Sequence, residues 1–143
     1  MEKIEHIGIA VKDLEAASLR YKKLLGKAPY KVEGVEAEKV KTSFFKLGES
    51  KIELLQATDE KSAIAKFISK KGEGIHHIAY AVEDIKSEME RLKKEGFELL
   101  SDEPRRGADG KWVVFIHPKS AGGVLIELCQ DMLTPDIPDG SHR

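Results

Sequence analysis

The sequence predicts an α+β fold built from two tandem βαβββ modules. Three observations lead there: an internal repeat, a change within each copy from alternating to helical spacing, and glycine-rich or charged breaks between the segments. His6-Ile7-Gly8-Ile9-Ala10-Val11-Lys12-Asp13-Leu14 resembles His77-Ile78-Ala79-Tyr80-Ala81-Val82-Glu83-Asp84-Ile85 at an offset of 71 residues. From His6 to Lys23, eight of 18 positions are identical to their partners, where unrelated segments of ordinary composition would share roughly one. The same offset pairs Phe44 with Phe115. With three extra residues in the second copy, Ile52-Glu53-Leu54 pairs with Ile126-Glu127-Leu128. The longer stretch is Lys119-Ser120-Ala121-Gly122-Gly123, a turn composition in which insertion costs little.

Each copy reads the same way along the chain. A first strand, about 5–11 or 77–82, is rich in β-branched residues. Asp13 or Asp84 then stands where a carboxylate can accept from the free N–H groups of a helix start. The first helix carries Leu14, Ala17, Tyr21 and Leu24 on one stripe, and the second carries Ile85, Met89 and Leu92. Gly26 and Gly96 follow as C-terminal stops. Three strands complete each module, near 30–35, 39–47 and 51–57 in the first and near 97–100, 112–117 and 124–130 in the second. Ile64, Phe67 and Ile68 are spaced for a linker helix over 62–71, ended by Gly72 and Gly74. The expected organisation is one domain over 1–143, with module one at about 4–57, module two at about 75–130, and a tail, 131–143, that has no apolar period and carries no chemistry.

Composition narrows the function. Lys+Arg number 24 and Asp+Glu 25, a formal net charge of -1, which argues against a dedicated nucleic-acid binder. Hydrophobic residues make up 41%, enough for a core and too many for a disordered chain. No apolar run approaches the roughly 20 residues of a membrane helix, and the start of the chain does not read as a signal peptide. The single cysteine, Cys129, forms neither an internal disulfide nor a thiolate cluster and reads as a small core residue. A cytoplasmic protein with a mainly aliphatic core is expected.

The repeat also pairs chemistry. His6 and His77 lie on the first strands, and Glu53 and Glu127 on the last. One histidine or one glutamate in a strand is usually a satisfied or solvated side chain. Both types at matched positions in both copies are better explained by a shared task. If the curved mixed sheets face a common cleft, two imidazoles and two carboxylates suit one divalent ion such as Co²⁺, Ni²⁺, Mn²⁺, Fe²⁺ or Zn²⁺. His76 and Gln56 compete for these roles, but strand alternation turns each away from the neighbouring candidate.

With these residues in place, the sequence resembles the vicinal oxygen chelate superfamily, which includes glyoxalase I and extradiol dioxygenases, and within it the methylmalonyl-CoA epimerase family. The resemblance covers about residues 4–130. It is carried by His6-Ile-Gly-Ile-Ala-Val, Ile52-Glu-Leu-Leu, Gly74-Ile-His-His-Ile-Ala, Asp102-Glu-Pro and His117-Pro-Lys-Ser-Ala-Gly-Gly-Val-Leu-Ile-Glu-Leu, the last being the most specific. It implies interconversion of (2R)- and (2S)-methylmalonyl-CoA by α-proton abstraction through a metal-stabilised enolate. It implies His6, Glu53, His77 and Glu127 as ligands, Co²⁺ as the first choice with Ni²⁺, Mn²⁺ or Zn²⁺ as alternatives, and a homodimer. Inversion needs proton delivery to both faces of the carbon. The resemblance assigns Glu127 to one face. Several family members carry a glutamate, thought to be a base, at the position of Thr42, so the other face falls to Glu53, a metal-bound water or a glutamate in the stretch 33–38. Lys119, Arg105, Arg106 and Lys111, expected in loops, are candidates for the phosphates of CoA. His117-Pro118 is expected to shape its loop. A glyoxalase I-type lactoylglutathione lyase, which uses the same four donors, and a non-catalytic small-molecule binding module are the alternatives.

Overall fold

Asp13 and Asp84 start the two module helices as the sequence predicts. Each has an extended backbone, and each side chain accepts a hydrogen bond from the N–H three residues on, Ala16 or Ser87, at 3.1 Å. The structure, a computed structural model, describes residues 1–132, and the expectation for the tail lies almost wholly outside these residues. The described residues divide into two compact bodies: residues 6–76, and residues 1–5 together with 77–132.

In the first body the order is β1 (Lys3–Ala10), α1 (Leu14–Leu25), β2 (Lys31–Val35), β3 (Val40–Leu47), β4 (Ser50–Ala57) and α2 (Ala63–Lys71). The sheet order is β2-β3-β4-β1, with β1 parallel to β4 and the other pairs antiparallel. One face of the sheet packs Ile9, Phe45, Ile52 and Leu54 against Leu14, Ala17, Tyr21 and Leu25 of α1. Leu24, expected on that stripe, is 69% exposed; Leu25 takes its place, because the helix turns 100° per residue and its last turn swings Leu24 outward. Gly26 ends the helix with φ 78°, a left-handed conformation that suits glycine. On α2, Ile64, Phe67 and Ile68 pack with Val40 and Leu55.

The second body repeats the order with β5 (Gly74–Ala81), α3 (Ile85–Lys94), β6 (Arg105–Gly107), β7 (Lys111–Ile116) and β8 (Ile126–Asp131). The sheet order is β5-β8-β7-β6, with β5 parallel to β8. Ile85, Met89 and Leu92 of α3 cover Val114, Ile116 and Leu128. Both modules are therefore βαβββ with mixed sheets, the α+β class expected. The strand expected at 97–100 is a correction: Leu99 makes one isolated bridge to Ile116, and the paired strand is Arg105–Gly107. Phe97 and Leu99 gave that stretch an apolar alternation, but the alternation reflects anchoring on the α3 core. Pro104, which offers no N–H to a ladder, delays the strand until Arg105. Among the described residues no helix is long and apolar enough to cross a membrane.

Two matched glutamines lock the helices to the sheets. Gln56 of β4 accepts the Leu14 N–H at 2.6 Å, and Gln130 of β8 accepts the Ile85 N–H at 2.7 Å. Each amide N–H belongs to the first residue of a helix and has no partner within it. Gln130 is 4% exposed, so Gln130→Leu should strand a buried donor and cost about 1–3 kcal/mol. The partly buried Gln56 bond should cost less when removed. Urea unfolding of both variants measures the difference.

A second local tie is pH-dependent. Arg91 donates to Glu88 at 2.6 Å on α3, and this hydrogen bond holds the Glu88 carboxyl below its usual 4.5. The folded form therefore binds its proton less readily than the unfolded chain. The contribution is complete above the unfolded pKa and is lost as pH falls through the lower folded value. The Arg91 side chain is half exposed, so Glu88→Gln should reduce the acid-induced loss by at most about 1 kcal/mol. Thermal midpoints at about pH 3 and pH 6 give the comparison.

Candidate functional site

In the first body, β4 alternates its side chains so that Leu54 enters the α1 core and Glu53 points to the other face. Parallel pairing of β1 with β4 sets His6 opposite Lys51 and Gly8 opposite Glu53, which puts the His6 side chain on the Glu53 face. Nδ1 of His6 lies 3.1 Å from Oε2 of Glu53, and both residues are 4% exposed. Phe44, fully buried, stands directly across from Glu53 on β3.

The second body builds the same device. His77 on β5 and Glu127 on β8 meet with Nε2 3.0 Å from Oε1. Both are about 95% buried. Phe115 stands across from Glu127, with its ring edge-on to the His77 ring at 5.7 Å. One pair uses Nδ1 and the other Nε2, so the repeat is faithful in residue type and looser in ring orientation.

Burying a carboxylate is costly unless a donor or a cation meets it. Each body carries this cost at a matched position, in Glu53 and in Glu127. The spacing fits a hydrogen bond from the imidazole N–H to the carboxylate. It equally fits two neighbouring donors on an octahedral ion, whose bonds of about 2.1 Å place adjacent ligand atoms about 3 Å apart. A tetrahedral ion with those bonds would separate them by about 3.4 Å. The donor chemistry and the pair geometry therefore both accept a divalent cation of borderline hardness.

Glu127 has a further contact. The Cys129 thiol donates to its Oε2 at 3.4 Å, so its two oxygens face different partners, His77 and Cys129. Cys129 is buried beside Ala79 and Val113, as a small core residue should be, but its thiol also meets the carboxylate. The signal was present in the sequence, because i and i+2 share a strand face.

The competing residues lie elsewhere. His76 packs edge-on to Phe67 of α2 at 5.0 Å, and Gln56 caps α1. His117 shapes its loop: its Nδ1 accepts the Lys119 N–H at 3.0 Å, and Pro118 opens a 3₁₀ turn over Pro118–Ala121. Arg105 and Arg106, expected in loops, are in β6. Arg105 pairs with Val113 and shares the Glu127 face, whereas Arg106 stacks over the Trp112 ring at 5.4 Å on the opposite face. Lys111 begins β7, 3.9 Å from the buried Glu5 carboxylate, and Lys119 is exposed in the 3₁₀ turn. Thr42, fully buried on β3, has a hydroxyl without a hydrogen-bond partner among the described residues.

Residues 5–115 match the model of the Glyoxalase/Bleomycin resistance protein/Dioxygenase superfamily, and the chain belongs to that family. Within it, the chain is 45% identical over 130 residues to the ethylmalonyl-CoA/methylmalonyl-CoA epimerase of Cereibacter sphaeroides, covering 90% of this chain and 97% of the relative. It is 42% identical over 129 residues to the human mitochondrial methylmalonyl-CoA epimerase, covering 90% and 73%. A solved Streptomyces coelicolor methylmalonyl-CoA epimerase in complex with 2-nitronate-propionyl-CoA superposes with a TM-score of 0.89 at 37% identity, over 93% of this chain and 96% of that one.

Proposed function

We propose that the chain is a metal-dependent epimerase that interconverts (2R)- and (2S)-methylmalonyl-CoA. The observation that carries the reading is the buried histidine–glutamate pair formed at matched positions in both modules. The names of the relatives supply the substrate class. His6, Glu53, His77 and Glu127 hold one divalent ion, with Co²⁺ preferred and Ni²⁺, Mn²⁺ or Zn²⁺ as alternatives. The bound ion supplies Lewis-acid stabilisation of the negative charge that grows on the thioester oxygen.

Glu127 takes the proton from carbon 2. The C–H electron pair moves into the new carbon–carbon double bond, and the thioester oxygen takes up the charge. Return of a proton to the other face of carbon 2 completes inversion, so a second acid/base group is required. Phe44 and Phe115 keep water from the two pairs, which raises the electrostatic value of each donor. Arg105, Arg106 and Lys119 are the proposed contacts for the CoA phosphates, with Arg105 favoured by its face. We place the enzyme in the cytoplasm as a homodimer; a single cysteine kept as a thiol is compatible with a reducing compartment.

The test is incubation of metal-loaded protein with (2R)-methylmalonyl-CoA in D₂O. Deuterium should enter at carbon 2 with formation of the (2S) epimer. Glu53 also completes the donor set of a glyoxalase I-type lyase. No exchange or inversion, together with rapid turnover of the glutathione–methylglyoxal adduct, would overturn the epimerase in favour of that reading.

A further inference from the structure

Inversion demands a proton donor for each face of carbon 2, and Glu127 serves one of them. The first body is where the other can be sought. Its sheet turns one face to α1, and the opposite face carries His6 and Glu53. Along β2–β4, the antiparallel registers set Lys31 across from Phe44 and Phe44 across from Glu53, which makes one row. Two residues along, Glu33 lies across from Thr42 and Thr42 from Leu55, which makes the next row of the same face. Glu33 and Glu53 are the two carboxylates at strand positions of this face among β2–β4. Glu36 and Glu38 fall in the 3₁₀ turn beyond the end of β2.

Side-chain contacts agree with the register. The Lys31 ammonium sits over the Phe44 ring at 5.3 Å and 3.4 Å from Oε1 of Glu33. The Glu33 carboxylate is thereby held on the side of the sheet where Phe44 meets Glu53. Its side chain is 35% exposed, open enough to exchange protons with solvent between turnovers. Two strand spacings of about 4.8 Å and two residues of rise place the Cα atoms of Glu33 and Glu53 about 12 Å apart. A glutamate side chain reaches about 5 Å, so a small acyl group beside Glu53 comes within range of Glu33. Between them stands Thr42, a weak base whose buried hydroxyl has no hydrogen-bond partner among the described residues. It leaves Glu33, one strand further out, as the carboxylate other than Glu53 at a strand position of this face.

We infer that Glu33 is the second catalytic acid/base residue, serving the face of carbon 2 that Glu127 does not. The inference rests on the epimerase reading and adds a residue to it. From the epimer whose proton faces Glu127, Glu127 accepts that proton and Glu33 returns one to the other face; from the other epimer the roles exchange, so protons and electrons balance without a further reactant.

The experiment compares the metal-loaded wild type with Glu33→Gln, using each epimer separately in D₂O. Inversion should fall by about 100-fold or more. Exchange should persist from the one epimer whose proton faces Glu127 and vanish from the other, an asymmetry that a general loss of structure does not produce. Glu33→Asp, which keeps the charge and shortens the reach, should show the same asymmetry at smaller size, and it stands as the test if the glutamine variant does not fold. Inversion within twofold of wild type in a folded variant, or equal loss of exchange from both epimers, would overturn the assignment. Wild-type protein that neither exchanges nor inverts would instead defeat the epimerase reading itself.

Discussion

Glu127→Gln should lower epimerisation by about a thousandfold or more. Glu127 is asked to do two things: Oε1 lies 3.0 Å from His77, where an ion would be shared, and Oε2 meets the Cys129 thiol, where a proton would be taken. General acid–base catalysis alone is worth about 10²–10⁴ in rate, and loss of a ligand adds to that. Activity alone cannot divide the two effects, so metal stoichiometry must be measured on the same preparation. A variant that binds the ion but no longer exchanges deuterium from the epimer whose proton faces Glu127 has lost its base. A variant that binds none has lost its centre. Wild-type turnover by Glu127→Gln would contradict both roles.

Removal of the metal should have the second large effect. Dialysis against a chelator should abolish deuterium exchange, and Co²⁺ should restore it. Loading should also raise the thermal midpoint, because an ion that binds only the folded chain adds about 2.7 kcal/mol at a hundredfold excess over its Kd. His6→Ala and His77→Ala should each weaken the ion by at least tenfold in calorimetric titration. If both variants titrate like wild type, the four residues do not share an ion, whatever the chain catalyses.

The sequence carried the βαβββ order because the signals were local and repeated. Asp13 and Asp84 capped helices where their carboxylates suggested, and the Ile85, Met89 and Leu92 stripe was buried in full. The pairing of His6 with Glu53 and of His77 with Glu127 was legible because duplication doubled an otherwise weak signal. What remained hidden depended on partners distant in sequence. No pattern tells that Leu99 would bridge only once to Ile116 while Arg105 found Val113. Strand alternation turns Gln56 away from the ligand set, but no local pattern shows that its amide is needed 42 residues away at the start of α1. The opposite facing of Arg105 and Arg106 follows from strand alternation, but only once both are known to lie in a strand.

The glutamine caps have a consequence for how the modules avoid misfolding. On β4, and again on β8, a glutamate faces one side of the sheet and a glutamine three residues later faces the other, each held by a specific partner. A slip of one residue would drive the carboxylate into the aliphatic layer under the helix and pull the amide away from the backbone it caps. Both errors are penalised together, so the strand is indexed like a key with cuts on both edges. Each pair of donors is thereby aligned by the packing of its own sheet and helix, so a metal ion would meet ligands already in order.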